Sequence, residues 1–199
     1  MSGTSPCGPG GQLWNLTLAQ FRQAAAGRGM PGCGAVAAVV ADLGLALVVK
    51  ALRVSEEHER REGRNGLLQA AQALLGRPGA FADDDVAAFE SYLHAEGHDA
   101  QQAAARQACA VPLATARVCN EALAIAEAAW PEVVESVRCD VQAGVLLIGA
   151  AIETVLLNVE VDLGALDSLS ARQELREIRE KVRSEAASRL ERIAALEIK

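Results

Sequence analysis

Residues 33–52 read CGAVAAVVADLGLALVVKAL, and residues 141–159 read VQAGVLLIGAAIETVLLNV. Both stretches are apolar on nearly every side and are built from Ala, Val, Leu and Gly. Neither alternates as a half-buried strand would. A helix that is apolar all round belongs either at the centre of a bundle or in a bilayer. Asp42 and Lys50 interrupt the first stretch and Glu153 the second. Each such charge would cost about 2.5–3.5 kcal/mol at the middle of a membrane. No Trp/Tyr belt flanks either stretch, so the pair predicts two central helices of a bundle and no membrane span.

Working outward from this pair, the remaining chain is also helical in pattern. Of 199 residues, 51% are hydrophobic but only 3% aromatic, so small aliphatic side chains must fill the core. Alanine, the best helix former, favours an all-α fold. Residues 1–11 are Ser, Thr, Pro and Gly without periodicity and predict a disordered tail, which leaves 12–199 as a single helical domain. Thr17 is placed to cap a short helix that stops at Gly27-Arg28-Gly29. After Leu52 the chain turns abruptly into SEEHERREGR, expected as a solvated helix end. Gly63 and Gly66 predict a turn, followed by a helix over Leu67 to Leu75. Asp83, Asp84 and Asp85 are expected at a helix N-terminus, where negative charge is favoured. Asp99 is expected to cap a long alanine-rich helix that Pro112 should kink, and Ser170 to cap the charged last helix. The sum is an irregular multi-helix bundle of about seven to nine helices.

The net charge of −7 gives no basic footprint for nucleic acid. Cys7, Cys33, Cys109, Cys119 and Cys139 are odd in number and widely spaced. None forms a C-x-x-C pair, and none stands at a metal-ligand spacing from His58, His94 or His98. Free thiols, in a chain whose start carries no signal-peptide pattern, predict a cytoplasmic protein without a metal.

Four blocks then share an order that is informative together. Met30-Pro31-Gly32-Cys33-Gly34-Ala35-Val36-Ala37-Ala38 is similar to the P-G-G-G-S-V-A-A helix entry of the formiminotetrahydrofolate cyclodeaminase/methenyltetrahydrofolate cyclohydrolase family. Asp84-Asp85-Val86-Ala87-Ala88-Phe89 resembles that family's D-D-x-x-A-F, and Val111-Pro112-Leu113 its V-P-L. Cys139-Asp140, with Asn158-Val159-Glu160-Val161-Asp162-Leu163 further on, resembles its S-D…N-V-x-x-N-L. The resemblance implies the all-α cyclodeaminase/cyclohydrolase-like bundle and a homodimer. It also implies a tetrahydrofolate derivative as substrate, with no other cofactor.

Physical chemistry supplies roles beside the analogy. A glycine turn opening a helix, as at Pro31, Gly32, Cys33 and Gly34, can aim free N–H groups at an anion or carbonyl, or be only a tight connection. Asp140, next to Cys139 at the start of the second apolar helix, is the leading acid–base candidate if a cleft adjoins it. Otherwise it is a helix cap. Asp84 and Asp85 are further catalytic candidates, or solvated caps. Glu153 and Asn158, expected buried, need polar partners, either a ligand's edge or a neighbouring subunit. Cys33 and Cys139 read as buried thiols, with substrate contact as the alternative.

Several residues depart from the family pattern: Cys33 for glycine, Ala35 for serine, Cys139 for serine and Glu153 for an expected arginine. The acidic-then-basic run Ser55–Arg61 replaces a Lys-rich segment suited to a folate's anionic tail. Three functions follow. The resemblance implies hydrolysis of methenyltetrahydrofolate, or cyclisation of formiminotetrahydrofolate with ammonia loss. The departures allow C–N addition, elimination or cyclisation on another amine or imine, of the kind found in secondary metabolism. A non-catalytic helical binding protein is the third.

Overall fold

The computed structural model describes residues 13–197; the tail expected at 1–11 lies outside them. Seven α-helices follow one another among the described residues: α1 (Leu18–Ala25), α2 (Cys33–His58), α3 (Glu62–Leu74), α4 (Arg77–His94), α5 (His98–Ala129), α6 (Arg138–Asp162) and α7 (Leu169–Glu197). Short 3-10 turns precede α1 and join α5 to α6 and α6 to α7. No strand occurs among the described residues, and the all-α bundle expected from the sequence is the fold observed.

The two apolar stretches are α2 and α6, and they pack antiparallel at the centre. Lys50 near the end of α2 meets Asp140 at the start of α6, 2.9 Å between charged atoms. At the opposite end, Cys33 of α2 meets Asn158 of α6. Their backbones come close where glycine faces glycine: a Cβ on Gly144 would lie 2.5 Å from the Gly44 carbonyl oxygen. Leu45, Val48 and Leu52 on α2 and Ile148, Ile152 and Leu156 on α6 are almost wholly buried along this seam, each worth about 1.5–3 kcal/mol of burial. The helices α5, α4 and α7 close around the pair, with α3 packed beside α2 and α5.

The charges that interrupt the apolar stretches all have protein partners. Asp42 accepts a hydrogen bond from the Gly76 N–H at 2.7 Å, and burial pushes its carboxyl above the ordinary value. Glu153 is exposed and pairs with Arg183 of α7 at 3.0 Å. Three helical stretches, Cys33–His58, His98–Glu132 and Glu135–Ala165, are long and apolar enough to cross a membrane by length and composition. Their most apolar windows are 67%, 61% and 50% buried inside the bundle.

Several boundaries differ from expectation. Gly63 and Gly66 lie within α3, which begins at Glu62. Arg64 between them is completely buried and donates to the carbonyls of Ser55, Glu59 and Glu132. The turn expected there is instead a helix that delivers a guanidinium to the end of α2. α4 begins at Arg77, nearly two turns before Asp83, because Gly76 takes the left-handed conformation (φ 89°) and Pro78 sits in the first turn, where no N–H is missed. Gly79 is required there, because a Cβ would fall on the Trp14 indole. The residue before α5 is Gly97, with Asp99 in the first turn, and Ser168, not Ser170, accepts the Ala171 N–H at the start of α7. Thr17 caps α1 as predicted, in a reciprocal capping box with Gln20.

Candidate functional site

A cleft of about 560 Å³ opens where the start of α2, the middle of α4, the first half of α5 and the end of α6 converge. Its polar floor is a chain of contacts. Cys33, first residue of α2, donates from Sγ to Asn158 Oδ1 at 2.7 Å. The Asn158 amide in turn donates to Asp85 of α4, whose other interaction is with the Ala35 N–H at 3.0 Å. The carboxylate of Asp85 therefore occupies the N-terminal end of α2, where unpaired N–H groups and the helix dipole attract negative charge.

This arrangement depends on Gly34. A Cβ there would fall on the Asp85 carboxylate and 2.5 Å from Asn158 Nδ2. The glycine is thus needed for close approach of two polar side chains, not for turn geometry. The Met30–Pro31 peptide before it is cis, and Pro31 is buried while Met30 and Gly32 line the cleft.

Asp162, last residue of α6, lies on the same cleft. Burial pushes its carboxyl up, and the negative charge of Asp85 pushes it further, to about 6. Burial also raises Asp85, against the lowering effect of its two hydrogen bonds. Two carboxyls in one cleft, one fixed by donors and the other close to titrating at neutral pH, form an arrangement able to take and return a proton. Phe89, Tyr92 and Val161 supply the apolar wall and are themselves exposed at its edge. Among the described residues, no group of three His, Cys, Asp or Glu side chains is arranged to hold a metal ion.

The structure brings together Gly32, Cys33, Gly34, Asp85 and Asn158 of the residues singled out in the sequence, with Pro31 just behind. It separates the others. Asp140 and Cys139 stand at the far end of α6, about 27 Å from Asn158 at 1.5 Å per residue. There Asp140 pairs with Lys50, and it lines no part of the cleft. The reason is the antiparallel packing, which puts the starts of α2 and α6 at opposite ends. Within one chain, Asp140 therefore stands apart from this cleft, contrary to the cleft-side position expected for it. Asp84 is exposed on another side of α4, in a shallow hollow with Trp14, Asp42 and Asp83. Glu153 is not buried but faces α7. Cys33 and Cys139 are exposed thiols, in contrast to expectation. The buried ones are Cys109 and Cys119, whose thiols burial pushes up to about 12. Sequence reasoning passed over Asp162 and Tyr92. For Asp162 a signal was present: it stands where the family pattern N-V-x-x-N-L has its second asparagine.

The chain is similar in structure to a formiminotetrahydrofolate cyclodeaminase from Thermotoga maritima. The TM-score is 0.85 at 21% identity, covering 92% of this chain and 96% of that one. No curated protein sequence matches significantly. The family model described as Formiminotransferase-cyclodeaminase matches residues 17–181, a span that includes every residue of the cleft. The chain therefore belongs to the formiminotransferase-cyclodeaminase family.

Proposed function

We propose that the chain is a folate one-carbon enzyme that either hydrolyses methenyltetrahydrofolate to formyltetrahydrofolate or cyclises formiminotetrahydrofolate with loss of ammonia. Both reactions work on a carbon held between two nitrogens. Water, or a ring nitrogen, adds to that carbon, and a proton must then reach the departing nitrogen. Positioning and one or two tuned carboxyls suffice, without metal or redox cofactor.

The observation that supports this reading is the Asp85–Asp162 pair on one cleft. Asp85, oriented by the Ala35 N–H and the Asn158 amide, acts as the base that receives the proton of the attacking nucleophile. Asp162, near 6, delivers a proton to the leaving nitrogen and regains it in the next cycle. Asn158 is a positioning residue that fixes Asp85. In the assay, purified folded protein accelerates the loss of near-ultraviolet absorbance of methenyltetrahydrofolate. A rate equal to that of buffer removes the hydrolytic reading, and absence of ammonia release from formiminotetrahydrofolate removes the other.

A second reading keeps the scaffold and changes the substrate to another amine- or imine-bearing small molecule. It is favoured by the lining of the cleft, on which no Lys or Arg stands among the described residues. The Ser55–Arg61 run that replaces the family's basic segment lies at the opposite end of α2. The assembly proposed is a cytoplasmic homodimer. Its contact would use the α6 stripe Leu146, Ala150, Leu157 and Val161, which is exposed in one chain, since such an apolar stripe calls for a covering surface.

A further inference from the structure

A ring of hydrogen bonds ties three helices together at the floor of the cleft. Cys33 of α2 donates to Asn158 of α6, the Asn158 amide donates to Asp85 of α4, and Asp85 returns to α2 through the Ala35 N–H. We propose that Cys33 is a positioning residue, whose thiol holds the Asn158 amide so that its N–H stays on Asp85. This rests on the reading of the cleft proposed above and adds to it a residue where the family pattern has glycine. A glycine has no side chain with which to close the ring, so this link belongs to the present chain.

The terminal torsion of an asparagine is soft, so a single partner leaves the plane of its amide loosely set. Here the two ends are held from different helices, the oxygen by α2 and the nitrogen by α4. Cys33 Sγ lies 2.7 Å from Asn158 Oδ1, too close for a water between them. Both residues line the cleft, and the thiol is exposed on it. Without the thiol, Oδ1 is open to water or to a donor on the ligand, and either can draw the amide away from Asp85. The Asn158 hydrogen bond favours the charged form of Asp85, so an amide that wanders leaves a base that is both less ionised and less well aimed. Opening the ring at Cys33 leaves the Ala35 N–H on Asp85, at 3.0 Å. The carboxylate stays in place, and what is lost is the second donor that fixes its direction.

Cys33→Ala removes the donor and Cys33→Ser keeps one in a side chain of similar size, so the pair separates hydrogen bonding from packing. The first readout needs no substrate. In the full chain labelled with nitrogen-15, the side-chain amide signal of Asn158, assigned by its loss in Asn158→Asp, is followed by NMR across the acid range. The other titratable groups on the cleft are Asp162 from α6 and Tyr92 of α4, while α5 presents Ala105 and Ala108 there. The midpoint sensed at Asn158 therefore belongs to Asp85 and Asp162 together, and the quantity compared is its displacement between variants. In Cys33→Ala the amide should exchange faster with water and the midpoint should rise; Cys33→Ser should restore both. The second readout is kinetic: Cys33→Ala should lower kcat about threefold to tenfold, the worth of one ordinary hydrogen bond, with KM within about twofold, and Cys33→Ser should recover kcat. An Asn158 signal unchanged in Cys33→Ala, or changed equally in Cys33→Ser, overturns the proposal, as does an unchanged kcat. Cys33→Gly repeats both measurements should Cys33→Ala fail to fold. If the unmutated protein turns over no folate, the catalytic reading falls, and the NMR comparison alone decides whether the thiol holds the amide. Folate turnover with an indifferent Cys33 does the reverse.

Discussion

Replacing Asp162 by asparagine should stabilise the protein while disabling it. A carboxyl raised from 3.8 to about 6 in the folded chain is kept charged at pH 8 at a cost of about 3 kcal/mol before screening. Asp162 is only half-buried, so solvent at the open side reduces this to about 1–2 kcal/mol. Asparagine has nearly the same shape and no charge to desolvate or to be repelled by Asp85. For a chain of 199 residues, 1–2 kcal/mol corresponds to a rise in Tm of about 3–6 °C. The pH dependence has a definite sign. The folded chain binds this proton more tightly than the unfolded chain, so the group's contribution is most favourable below 3.8 and worsens as the pH climbs to about 6. The advantage of Asp162→Asn is therefore largest at pH 8 and mostly gone by about pH 4.5. Loss of a proton donor should lower kcat about 10²–10⁴-fold on any substrate that is turned over. Thermal unfolding of both proteins at the two pH values, followed by CD, reads the first effect; steady-state kinetics reads the second. A variant that melts at or below the unmutated protein at pH 8 would refute the claim that this carboxylate is penalised by its surroundings.

Other substitutions probe separate parts of the arrangement. Gly34→Ala should abolish activity with a modest fall in Tm, because its methyl group takes the space of the Asp85 carboxylate and crowds Asn158; kinetics within a fewfold of the unmutated protein would show that this approach is dispensable. Arg64→Met should cost about 3–5 kcal/mol in urea unfolding, since it leaves the carbonyls of Ser55, Glu59 and Glu132 without their buried donor; a loss under about 1 kcal/mol would show that water replaces the guanidinium readily. Leu146→Arg combined with Leu157→Arg should yield a folded monomer by light scattering, given the exposed α6 stripe; a dimer unchanged by both substitutions would place the contact elsewhere.

What was legible in the sequence follows from which interactions are periodic. The centre of the fold was readable because α2 and α6 carry their burial on every turn, and the charges of Asp42, Lys50 and Glu153 set a bundle core above a bilayer as the place that hides them. The ends of helices were less so. Arg77-Pro78-Gly79 has the composition of a turn, yet Pro costs nothing in a first helical turn, and Trp14, over sixty residues earlier in the chain, fills the space that Gly79 leaves. That tertiary contact shifted Asp83–Asp85 from a helix start into the second and third turns of α4, which is what lets Asp85 reach the start of α2 while Asp84 points elsewhere. The orientation of α6 against α2 decided the rest. Seen along the chain, Asp140 and Cys33 both follow a short turn and both precede an apolar helix, so they read as equivalent positions. Antiparallel packing makes them opposite ones, and it gives the cleft the last turn of α6 in place of the first. A carboxylate at a helix C-terminus, as Asp162 is, has the dipole against it, and no local rule would put one there for stability. In the sequence Asp162 stood only as one residue of the block that resembles N-V-x-x-N-L. Its conflict with burial, with the dipole and with Asp85 is the reason for regarding it as functional.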